Sequence, residues 1–310
     1  MKITLLCLTG YLIIGVAHAQ SLQDSVSRAE FSGDSAVNVP TLRDVIALSL
    51  EKDYITIKGG YGNIEPLIFE ASVAPHYSLS FKDRNFGFLG TFKGIFRMSN
   101  KYSAPVLTPS YMPRITLYGW SAKQVAGTYP VWSVMLSHHS NGQSARFFND
   151  DGETNRVNGS FSTNFLEISS HNFVSSIIEE YVPGGKLIAK VDRKFTIDED
   201  FTTSLIIHLP FNRSPELDTL HYGFYRLKSS GIIKTGGLSV KTEVFWIFGK
   251  YLNYGSWSSR RFGYNLTYAF KIRFIDDLDF MINFYTGEDY YNIWFTRRLK
   301  VLRFGLITNL

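Results

Sequence analysis

The chain reads as an all-β protein, a transmembrane antiparallel β-barrel of about 12 strands behind a short N-terminal periplasmic segment. Three observations predict this. From about residue 54 onward the apolar residues recur with a period of two, which is the side-chain repeat of a strand. The alternating segments run to roughly 10 residues, the length a tilted strand needs to cross a bilayer and longer than the usual 5 or 6 of a soluble sandwich. The aromatic content is high, with 25 Phe, 18 Tyr and 5 Trp, as girdles at two membrane interfaces require. A mean hydropathy of -0.05 fits as well, because lipid-facing and lumen-facing residues average to neutral. With 19% charged and 45% hydrophobic residues among 310, disorder and collagen-like repeats are excluded.

The first element is a secretory signal peptide over residues 1–19. Lys2 precedes an apolar run over residues 3–16, and Ala17-His18-Ala19 has the A-x-A form of a leader-peptidase site. The single cysteine, Cys7, departs with it, so the mature chain is expected to hold no disulfide, no thiolate metal site and no lipid anchor. Residues 20–53 form an N-terminal segment, polar and Ser-rich at first. Within it Leu42, Val45, Ile46 and Leu50 fall near helical spacing and predict a short helix. Residues 54–310 are the barrel, with no linker, repeat or low-complexity segment to divide them. Its clearest strand is 262–274, where Phe262, Tyr264, Leu266, Tyr268, Phe270, Ile272 and Phe274 oppose a polar set. The pattern repeats over 278–285, 201–211 and 238–248.

Most catalytic motifs are absent: there is no G-x-S-x-G elbow, no H-E-x-x-H, no Walker loop and no dinucleotide fingerprint. His138-His139-Ser140-Asn141-Gly142 remains. It ends a strand whose even positions, Trp132, Val134, Leu136, His138 and Ser140, form the outward stripe, so His139 points into the lumen. Residues i and i+2 on one face stand about 7 Å apart at the backbone, within reach of an imidazole and a serine oxygen. Such a pair needs a third group to fix the imidazole tautomer. Counting the next strand from Asn155 places that amide on the lipid-facing stripe, where it needs a hydrogen-bond partner, and His138 would be one. Asn158 and Asn164 then fall on the lumen side. His76, His171, His208 and His221 are scattered without metal-ligand spacing.

On these residues the chain resembles the outer-membrane phospholipase A family, which has H-x-S-N-G on one barrel strand and an Asn-Arg pair opening the next, here His138 to Gly142 and Asn155-Arg156. Tyr111-Met112-Pro113, Phe284-Tyr285-Thr286-Gly287, Tyr291-Asn292 and the stretch from Arg43 to Asp53 are further likenesses. The resemblance implies a twelve-stranded barrel and calcium-dependent hydrolysis of glycerophospholipid acyl esters, of the phospholipase A1/A2 type. Ser140 would be the nucleophile, His138 the base and then acid, Asn155 the orienting group, and the Gly142 N–H the oxyanion donor. Two barrels would pack as a reversible homodimer, forming the acyl groove and completing the calcium site between them.

The family's aspartate and serine after the nucleophile fall here on Ala145 and Phe148, neither a suitable ligand. The acids of this loop are Asp150, Asp151 and Glu153, and oxygen donors suit a hard cation. Asp151 and Asp150 are therefore expected to hold calcium ahead of Glu153, with the Gln143 carbonyl as a ligand implied by the resemblance. A lipid A deacylase, whose family also carries H-x-S-N on a barrel strand, is an alternative. A non-catalytic porin-like barrel is another. The expected partners are membrane phospholipids and a second copy, at the outer membrane of a Gram-negative bacterium. The formal charge of +5 does not argue for nucleic acid.

Overall fold

A computed structural model describes residues 42, 45, 46, 50–81, 84–103, 105–121, 129–175, 200–211, 216, 225–235, 237–275 and 277–308. The expected signal peptide, with Cys7, lies outside the described residues. Fourteen β segments follow in order: β1 (Tyr54–Thr56), β2 (Tyr61–Gly62), β3 (Leu67–Val73), β4 (His76–Ser80), β5 (Phe86–Ser99), β6 (Ser110–Trp120), β7 (Tyr129–Ser140), β8 (Ser162–Ser175), β9 (Asp200–Phe211), β10 (Tyr225–Thr235), β11 (Leu238–Phe248), β12 (Phe262–Lys271), β13 (Leu278–Glu288) and β14 (Arg298–Thr308). β1 and β2 lie one after the other along β14, and β3 and β4 likewise along β5. Each pair is one barrel strand with an interruption. β1 pairs with β14 on one side and β3 on the other, so the sheet closes into a 12-strand antiparallel barrel. Closure removes the free edges that an open sheet would leave unpaired.

The alternation read from the sequence sorts side chains as expected. Along β12, Phe262, Tyr268 and Phe270 are exposed while Gly263, Thr267 and Ala269 are buried. Along β13, Phe280 and Phe284 face out against buried Asp279, Met281, Asn283 and Tyr285. The expected strand 262–274 stops at Lys271, because the Ile275 N–H turns back onto the Ile272 carbonyl at 3.1 Å.

Inside, charge is gathered and matched. Arg97 is fully buried; its Nε donates to Glu70 at 2.7 Å, and its Nη atoms donate to Asp289 at 3.0 and 2.9 Å and to Glu65 at 3.2 Å. The Tyr291 ring lies 4.3 Å from the guanidinium. A buried cation persists only when so many partners replace its water.

Apolar clusters pack inside both ends of the barrel among the described residues. At the end holding the 141–161 loop, Phe147 and Phe161 pack with Phe245, Tyr285, Ile293 and Phe295 into an aromatic roof. At the other end the described residues Leu42, Val45 and Ile46 are in α-helical conformation and pack on the inward-facing Leu89, Tyr118, Trp120 and Val131. Gly87 makes room for them: a Cβ there would lie 2.5 Å from Leu42 Cδ2. Deeper in, the Glu51 carboxylate bridges Lys93 at 2.5 Å and Arg114 at 2.6 Å.

Candidate active site

β7 places its even residues outward: Trp132 and Leu136 are exposed, and His138 and Ser140 are half-buried at its end. His139 is turned into the barrel, with its ring edge-on to Phe161 at 4.9 Å between centroids and its Nε2 without a hydrogen-bond partner among the described residues. The His138 and Ser140 side chains share one face two residues apart. No direct hydrogen bond joins them among the described residues, which is common before substrate aligns such a pair.

The amide that reaches His138 is that of Asn164. β8 begins at Ser162, and its register sets His138 opposite Asn164 and Ser140 opposite Ser162. Directly opposed residues share a face, and His138 Nδ1 lies 2.9 Å from Asn164 Oδ1. An amide oxygen only accepts, so Nδ1 donates and Nε2 keeps the lone pair. Asn155, expected beside His138, makes its side-chain hydrogen bonds elsewhere among the described residues. That residue is in a loop turn: its Oδ1 accepts from the Val157 and Asn158 N–H groups at 3.3 Å each, and its Nδ2 donates to Asn158 Oδ1 at 2.8 Å and the Arg146 carbonyl at 3.2 Å. The period-two count fails because residues 155–158 form a hydrogen-bonded turn, closed by Gly159 N–H on the Asn155 carbonyl at 3.1 Å. The Asn155…Asn158-Gly159 spacing carried the turn signal, and starting the count at Ser162 would have put Asn164 on the outward face.

Asn141 is what holds the strand end. Almost fully buried, it donates from Nδ2 to the Gly159 carbonyl at 2.8 Å, and its Oδ1 accepts from Phe161 N–H at 3.0 Å and Gln143 N–H at 3.2 Å. It thereby stitches both ends of the loop together and fixes the turn that carries Gly142. That glycine has φ +67°, the left-handed region where a Cβ is unfavourable. Its N–H has no acceptor among the described residues and is available two residues beyond Ser140. The Tyr111 ring edge stands beside it, 3.5 Å from where a Gly142 Cβ would be.

The expected metal ligands do not converge. Asp150 is fully exposed at the loop tip, 3.7 Å from Arg146. Asp151 uses Oδ1 to cap its own turn, accepting from Glu153 N–H at 2.9 Å. Gln143 is exposed beside Gly142, at the opposite end of the loop sequence. Among the described residues no group of three or more His, Cys, Asp or Glu could hold a metal ion. Within one barrel the loop therefore does not fit calcium, because a hard cation needs 6 to 8 oxygens around one point.

No family model matches the chain and no curated protein matches it by sequence. Solved structures do. Outer membrane phospholipase A from Escherichia coli superposes with a TM-score of 0.58 at 11% identity, over 84% of this chain and 96% of that one. The likeness is one of fold. An asparagine-to-alanine active-site mutant of the same protein gives 0.56 at 10% identity, over 90% of this chain and 95% of that one. The Salmonella typhi outer membrane phospholipase dimer with bound calcium gives 0.56 at 12% identity, over 90% and 94%.

Proposed function

We propose that the chain is an outer-membrane serine hydrolase that cleaves acyl esters of glycerophospholipids. The observation that carries this is the His138 to Asn164 hydrogen bond on the outward face, one ladder step from Ser140. Ser140 attacks the ester carbonyl, His138 Nε2 takes its proton and returns it to the leaving glycerol oxygen, and Asn164 holds the imidazole in the tautomer this requires. The Gly142 N–H faces the developing oxyanion. An asparagine, unlike a carboxylate, adds no charge to stabilise the imidazolium, so the oxyanion side carries more of the work. The mutated active-site asparagine of the E. coli neighbour belongs to that protein, and it supports reading an asparagine in this role.

The substrate class follows from where the pair faces. Outward side chains beside Trp132, Leu136 and Ile168 meet lipid, and their place at a strand end suits an ester at headgroup depth. A second copy packed against this outward face would supply walls for an acyl chain. The Salmonella neighbour is a dimer with calcium. For this chain no step is routed through calcium, because its loop acids do not gather. The porin-like reading is disfavoured by the aromatic roof and the helical residues that pack inside the two ends of the barrel. Purified protein in phospholipid micelles should release fatty acid and be labelled at Ser140 by a sulfonyl fluoride. Ser140→Ala and His138→Ala should each abolish hydrolysis while the barrel keeps its heat-modifiable migration. An inactivating His139→Ala with an active His138→Ala would sink the assignment.

A further inference from the structure

The positive charges at one corner of the barrel lack the carboxylates that match Arg97 inside it. Between Glu243 and Asp276 the sequence has five Lys or Arg and no acid. Arg261, in the turn leading into β12, is buried, yet its guanidinium donates only to backbone carbonyls, those of Ile247, Gly249, Tyr254 and Gly255. Arg260 beside it is exposed, 5.8 Å from the centre of the Tyr254 ring. Arg298, at the start of β14, donates to the Arg260 carbonyl at 3.3 Å, the Phe262 carbonyl at 2.8 Å and Thr286 Oγ1 at 3.2 Å. All these acceptors are neutral. Glu288, opposed to Arg298 in the ladder, is buried and bound to Arg226. Among the described residues no ion pair involves Arg260, Arg261, Arg298 or Lys300.

We propose that Arg260, Arg298 and Lys300 form a docking site for the phosphate of a membrane lipid, on the side of the barrel away from Ser140. Leu299 and Val301 point into the barrel, so Arg298, Lys300 and Leu302 share its outer face, at the end that holds the 141–161 loop. Four barrel strands separate β14 from β7 one way round and six the other. The charged heads converge. Thr286, which accepts from Arg298, is the residue opposed to Lys300, and opposed side chains have Cβ atoms about 4.5–5.5 Å apart. The three neutral acceptors hold the Arg298 guanidinium in place without cancelling its charge, so little ordering is left for an anion to impose. What lies one step along the ladder selects a lipid over a free anion. There Leu302 is flanked by Phe284 on β13 and Tyr61 on β2, all three exposed. Cations thus stand over an apolar rail as a phosphate stands over acyl chains. The best-matched headgroup is a phosphate monoester, with about -1.5 to -2 charges at neutral pH.

The test uses the full chain in a neutral detergent, with bound lipid counted by native mass spectrometry. The probes are ether-linked phosphatidic acid and ether-linked phosphatidylcholine, neither of which has an ester to cleave. Wild type should retain the phosphatidic acid in preference. Arg260→Gln combined with Lys300→Gln, both at exposed positions, should weaken that binding by about 30-fold, or about fivefold per cation, and leave phosphatidylcholine unaffected. Lys300→Arg, which keeps the charge, should bind like wild type. If the double variant loses heat-modifiable migration, Lys300→Gln alone gives the reading, with about a fivefold loss expected. Inorganic phosphate should not displace the lipid. Equal retention of the two lipids by wild type, or undiminished phosphatidic acid binding by the folded Gln variants, would overturn the proposal. Displacement by inorganic phosphate would make this a site for a free anion and overturn it as well.

Discussion

At the scale of single residues, the site depends on which asparagine touches His138. Asn164→Ala removes the acceptor at Nδ1, so the imidazole loses its tautomer and its aim; kcat should drop by about 10²-fold, read by fatty-acid release under saturating lipid. Asn155→Ala removes a turn cap remote from that bond and should leave kcat near wild type. The reverse ranking would restore Asn155 to the site and discard the register of β8. The shared face of His138 and Ser140 and the turn at Gly142 were legible in the sequence because strand parity and a glycine-ended motif are local signals. Asn164 was not, because its partner is 26 positions away in sequence and the parity needed to find it had to be counted across a turn. Asp150 and Asp151 misled for a related reason. Acids close in sequence were read as close in space, whereas a tight turn with Gly152 at φ +80° leaves one exposed beside Arg146 and has the other cap its own backbone.

At the scale of elements, strands with one greasy face declared themselves fully: β11 spans Leu238–Phe248 and β9 reaches Phe211 as the alternation indicated. The broken strands were harder, since β1 with β2 and β3 with β4 are too short to show a period and are defined by their long neighbours. The helical spacing of Leu42, Val45 and Ile46 was visible, but its destination inside the barrel was not; that depends on Gly87, a missing side chain on β5. Gly87→Val would set a side chain against Leu42 Cδ2 and the Leu79 carbonyl. Limited proteolysis should then remove the N-terminal segment faster than in wild type while the barrel resists. Leu42→Ala, at a cost of about 2–5 kcal/mol, should act in the same direction; equal protection of all three proteins would show that the segment is not held by this packing.

At the scale of the whole molecule, closure and polar filling set stability. Arg97→Ala would strand Glu70 and Asp289 as buried charges, so folding should weaken by about 3–5 kcal/mol, seen as a lower urea midpoint for the compact barrel in detergent. An unchanged midpoint would mean that other cations, such as Arg303 at 3.6 Å from Glu70, suffice. The sequence showed the closed barrel but not this network, since Asp289 joins Arg97 and Glu70, which face each other on neighbouring strands, only after the chain has gone round the barrel. On the hydrolase reading proposed above, the outward placement of His138 and Ser140 has a kinetic consequence of its own. A site that faces the bilayer meets its ester by lateral encounter, so turnover follows the mole fraction of phospholipid at the surface and is insensitive to bulk concentration once the barrel is embedded. Diluting that surface with inert detergent at constant total lipid should slow such a catalyst in proportion, and a change in membrane composition would then be a change in substrate supply.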